Sequence, residues 1–79
     1  MSISELQTRL QATKDFLNRE LVRNKVSNAS ALSFREIGSR LDMIHEIERT
    51  GIRNMSEIQE RKLNRMIRDL EMNYNISLN

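Results

Sequence analysis

Almost nothing in this chain can interrupt a helix, because its 79 residues include no Pro and only 2 Gly. Pro removes a backbone donor and clashes with the preceding turn, and Gly costs about 1 kcal/mol relative to Ala inside a helix. The rest is rich in Leu, Ile, Met, Glu, Gln and Arg, all good helix formers. Helix is therefore expected nearly everywhere, and the informative signals are those that start helices, stop them and set their buried faces.

Ser2 can cap a first helix, with Glu5 completing a capping box and Met1 placed to pack on Leu6 as a hydrophobic staple. From there Ile3, Leu6, Leu10, Thr13, Leu17, Leu21 and Asn24 fall on one narrow stripe, whose opening spacing is that of a coiled-coil seam. The stripe predicts a helix over 3–26, broken by the segment SNASAL. A second box follows at Ser33 and Glu36, with Leu32 and Ile37 at the staple positions. Phe34, Ile37, Leu41 and Ile44 form one apolar face of a helix over 34–50, which Gly51 stops as a left-handed residue, with Ile47 and Ile52 making the accompanying contact. The third cap is either Asn54 with Glu57 or Ser56 with Gln59, opening a helix over 55–73. Met55, Leu63, Met66, Ile67, Leu70 and Tyr74 make its stripe, and the final NYNISLN is expected to fray.

Three single-stripe helices with short connections predict one all-α domain over 1–79, an up-down-up bundle. The competing arrangement is a helical hairpin of the second and third helices plus a long coiled-coil-forming N-terminal helix that pairs with another chain. At this size a core supplies only about 3–5 kcal/mol of net stability, so a homo-oligomer is expected. With no Cys, neither disulfides nor thiolate metal sites nor thiol catalysis are open to it. The start lacks the pattern of a signal peptide and no apolar run approaches membrane-spanning length, so a cytoplasmic protein without membrane contact is expected. Asn-x-Ser triplets at Asn28, Asn54 and Asn75 then read as caps and loop residues rather than glycosylation sites.

Little points to chemistry. The single histidine, His45, has Asp42 one turn before it, but no nucleophile or further ligand accompanies them, and zinc normally requires three or four. Gly38 lies inside a helix and Gly51 is a helix stop, so no Gly-rich phosphate loop exists. No enzyme, cofactor or metal is expected. Gly38 is either a point of close helix approach or a tolerated exposed residue.

Charge is dense but nearly balanced, 13 basic against 11 acidic residues, so any electrostatic function must be local. The best local signal is Arg61, Lys62, Arg65 and Arg68 in the third helix, with Arg61, Arg65 and Arg68 inside about 60° of its circumference, opposite the apolar stripe. Such a row suits nucleic acid or an acidic protein partner, although Glu57 and Asp69 stand where they can pair with Arg61 and Arg65. A helix-turn-helix fits poorly, since Ile58 is displaced from its slot after the turn, and two Phe and one Tyr are too few for a base-stacking platform.

Several apolar residues miss their stripes: Phe16, Val22 and Val26 in the first helix, Met43 and Ile47 in the second, Ile58 and Met72 in the third. Phe16, Met43, Ile47, Ile58 and Met72 are the candidate contacts to a partner. The expected function is a small non-enzymatic protein–protein interaction module, an adaptor, assembly factor or inhibitor; the alternative is nucleic-acid binding through the third helix.

Overall fold

The computed structural model describes residues 2–27, 30–74 and 76. It is an all-α three-helix bundle: α1 (Ile3–Ser27), α2 (Phe34–Thr50), a 3-10 turn (Ile52–Asn54) and α3 (Glu57–Asn73). At about 1.5 Å per residue α1 alone accounts for the 38 Å long axis, and the other two helices pack against it.

The start of α1 follows its cap, with the Glu5 amide donating to Ser2 Oγ at 3.1 Å. The expected staple residue Met1 lies outside the described residues. Leu6, Leu10 and Leu17 are buried, and Thr13 joins them in the core because its hydroxyl donates to the Arg9 carbonyl at 2.8 Å. The middle of the seam is thus spent inside the bundle, while Ile3, Leu21 and Asn24 are half-buried.

At the start of α2 both halves of the capping box form: the Glu36 amide donates to Ser33 Oγ and the Ser33 amide to Glu36 Oε1, each at 3.1 Å. The staple residues Leu32 and Ile37 are buried in the same core cluster. The buried face runs Ile37, Leu41, Ile44 and Ile47, which corrects the expectation for two residues. Phe34 is 52% exposed, and Ile47, at 2%, belongs to the core. The physical reason is that α2 packs against both α1 and α3, so its buried arc is wider than one stripe and turns toward Ile47.

Gly51 ends α2 with φ +97°, its amide donating to the Ile47 carbonyl at 2.8 Å. That φ is one L side chains rarely adopt, and a Cβ would also stand 3.2 Å from Asn54 Nδ2. Of the two caps open to α3, Ser56 is used: the Gln59 amide donates to Ser56 Oγ at 3.1 Å and the Ser56 amide to Gln59 Oε1 at 2.9 Å. Asn54 instead closes the turn, its amide donating to the Gly51 carbonyl at 2.9 Å. The third helix consequently begins at Glu57 rather than 55.

Lys14–Glu48 at 2.8 Å and Asn24 Nδ2 to the Leu32 carbonyl at 3.0 Å align α1 and α2 antiparallel. Arg9–Glu71 and the Phe16–Tyr74 ring pair, with centroids 5.3 Å apart, lay the last turn of α3 against the first half of α1. Three helices running strictly side by side would bring the first turn of α3 there, so α3 crosses α1 at an angle. Beyond Leu17 the cover over α1 thins: Leu21 is half-buried, while Val22 and Val26 are exposed. At the other end, Tyr74 and Ile76 pack against the core, so fraying does not begin at Asn73; Asn75 and 77–79 lie outside the described residues.

Candidate partner-binding surfaces

The core stripe of α3 is Leu63, Met66, Ile67 and Leu70. On the opposite side, Ile58 and Met72 are 64% and 76% exposed. At about 100° per residue both fall within an arc of about 80° that also holds Arg61, Arg65 and Arg68. One outward face therefore carries a basic row closed at each end by a bare apolar side chain. The expected pair Glu57–Arg61 forms at 2.9 Å between two well-exposed side chains. The expected Arg65–Asp69 pair is not made, and Lys62, Arg65 and Arg68 have no ion pair among the described residues.

Beside this face a shallow groove runs between α2 and α3. Its lining combines Ser39 and Met43 of α2 with Lys62 and Arg65 of α3. Met43 is half-buried and lines the groove along its length, so a molecule seated there would touch it. Phe16 is also half-buried, packed on Tyr74, and acts first as a tie between α1 and the end of α3. The structure thus brings Met43, Lys62 and Arg65 together, places Ile58 and Met72 on the adjoining face, packs Phe16 on Tyr74, and leaves Ile47 in the core with only its edge lining the groove.

Two carboxylates elsewhere in the molecule are held in the charged form by hydrogen bonds. Arg9 grips Glu71 with both ends of its fork, Nε to Oε2 at 3.0 Å and Nη2 to Oε1 at 2.6 Å. The hydrogen bond raises Arg9 above its ordinary value and holds the Glu71 carboxyl below the usual carboxylate range. Glu36 is held low as well, first by the Ser33 backbone amide and then by the Ser33 hydroxyl.

The linker between α1 and α2 is fastened by residues that sequence reasoning missed. Glu20 is only 5% exposed. Its carboxylate accepts from Ser30 Oγ at 3.4 Å and meets Arg23 at 3.4 Å. Ser30 Oγ in turn accepts from the Leu32 amide at 3.1 Å, holding Leu32 in the core. The only signal for this in the sequence is an acid on the flank of the α1 stripe followed by a Ser-rich linker. Asn64 was missed too: its Nδ2 donates to the Glu60 carbonyl at 3.0 Å, while its buried Oδ1 has no partner among the described residues.

His45 and Asp42 are both exposed, and no group of three or more His, Cys, Asp or Glu among the described residues could hold a metal ion. Nor is any described helix long and apolar enough to cross a membrane. Around Gly38 nothing lies within 4 Å of the position a Cβ would take, so it serves no close helix approach. The chain matches no protein-family model, no curated protein and no solved structure.

Proposed function

We propose that this chain is a small non-enzymatic interaction module, an adaptor, assembly factor or inhibitor that binds a protein partner through the outer side of its helical bundle. The observation that carries the reading is the exposure of Ile58 and Met72 on one face of α3, while Leu17, Ile37, Ile44, Leu63 and Ile67 are closed to solvent. A core already complete without them leaves these two side chains to a second molecule, and Met adapts its shape to what it meets.

Affinity capture from the native cell, with the parent chain and with Ile58→Ser plus Met72→Ser, tests the proposal. A protein retained after nuclease treatment and lost in the double variant, with helical signal unchanged, is the expected result. Equal capture by both chains would count against it.

A second reading, nucleic-acid binding, is favoured by the exposed Lys62, Arg65 and Arg68, which have no ion pair among the described residues. It requires affinity for mixed-sequence RNA or DNA that falls steeply with salt, as counterions are released, and that is lost on reversing Arg61 and Arg65 to Glu. Self-association belongs to the proposal as well, because the core is small. Light scattering at about 100 μM and a melting midpoint that rises with protomer concentration would establish it.

A further inference from the structure

We infer that the outer face of α3 takes an acidic amphipathic helix of a protein partner, laid along α3 with carboxylates against Arg65 and Arg68 and one apolar residue against each of Ile58 and Met72. The inference rests on the interaction-module reading and specifies the chemistry of the partner.

Charge complementarity is the first argument. Lys62, Arg65 and Arg68 stand exposed on this helix without an ion-pair partner among the described residues. A purely apolar partner would strip water from those cations without replacing its hydrogen bonds, and a basic partner would be repelled. Carboxylates match both the charge and the forked geometry of guanidinium groups.

The apolar ends of the row select a protein over a nucleic acid. Ile58 and Met72, in the first and last turns of α3, gain nothing from a phosphate backbone. The exposed Asp69 lines the adjoining groove with Arg65 and repels phosphates, whereas a side-chain mosaic can set a cation against it. Spacing selects the helical form. Ile58 and Met72 are two heptads apart, about 21 Å along the axis. Two residues with the same separation on a partner helix share one of its faces, so a helix alongside α3 meets both ends and presents its carboxylates between them.

Selection from a displayed library of random peptides of about 20 residues, using the intact chain as bait, tests this. Enriched peptides are then synthesised and their affinities read by fluorescence anisotropy. The expected peptides are rich in Asp and Glu, carry an apolar pair two heptads apart and become helical on binding. Arg65→Glu should weaken them at least tenfold, as should Ile58→Ser with Met72→Ser, whereas Arg53→Glu, a charge reversal in the 3-10 turn, should change affinity less than twofold.

Peptides without acidic residues, with apolar residues at the six- or seven-residue spacing of an extended chain, or indifferent to the α3 substitutions would overturn the inference while leaving an interaction module in place. No enriched peptide overturns it too. If, in that case, a mixed-sequence RNA or DNA 20-mer binds and is released by Arg65→Glu, the interaction-module reading falls with it.

Discussion

The two sides of α3 are made from the same kinds of residue and do opposite things. On the inner side, Leu63 and Ile67 are fully closed to solvent; on the outer side, Ile58 and Met72 are more than half bare. What separates them is angular position. The packing of α3 on both α1 and α2 covers one half of the helix and leaves the other open. The lesson is that apolar content alone does not count toward the core. A bare Ile and a bare Met on a basic face lie outside the core, which is what makes that face a candidate site.

The contrast predicts its largest effect on the inner side. Ile67→Ala should cost about 2–4 kcal/mol by opening a cavity among residues with little room to collapse, read as a lower urea midpoint at unchanged m-value. A loss under about 1 kcal/mol would mean that the inner side is loosely packed. Next comes the cap that sets where α3 begins: Ser56→Ala should cost about 1 kcal/mol, because the Gln59 amide loses its acceptor. The equivalent change at Ser33 should match it, and Glu36→Ala should cost less.

On α2 the sign reverses. Gly38 has open space where a Cβ would go, so Gly38→Ala should raise stability by about 0.5–1 kcal/mol. A destabilised variant would reveal a neighbour pressed against that position.

Glu71, on the flank between the two faces, should show its effect through pH. Its carboxyl titrates lower when folded, so the stability it contributes is present above the ordinary, unfolded value and is lost as pH falls through the lower folded one. Melting midpoints at pH 7 and pH 3 should therefore differ more for the parent than for Glu71→Gln, and the variant should lose about 0.5–1 kcal/mol at neutral pH. Equal pH dependence would mean that the Arg9 fork contributes nothing in solution. The smallest effect belongs to the outer side: Ile58→Ser and Met72→Ser should each change stability by less than about 0.5 kcal/mol. A larger loss would place them in the core and remove the contrast itself.

Much of this architecture can be read from the chain because the signals are local. Caps act over three residues, as at Ser33 with Glu36, and a stop needs only one residue free to adopt positive φ, as at Gly51. The boundary of α3 was legible only as a choice between Asn54 and Ser56, because both carry a capping partner three positions on. The 3-10 turn resolved it by engaging Asn54. The candidate site was half legible. Its basic row is a matter of helical spacing, whereas its apolar ends became distinct from Ile47 and Phe16 only once neighbours were in place.

By itself, then, the sequence determined the helical class, the capping box at Ser33, the stop at Gly51 and most of the inward stripe of each helix, since all of these depend on residues within a few positions of one another. Tertiary structure alone decided that Ile47 is core and Ile58 is not, that Glu20 and Ser30 hold the linker, that Arg9 reaches Glu71 and that Gly38 has no close neighbour. The reason is physical: helical periodicity states which residues share a side, but burial is settled by which other helices arrive there and at what angle, and that angle depends on contacts between residues far apart in the chain.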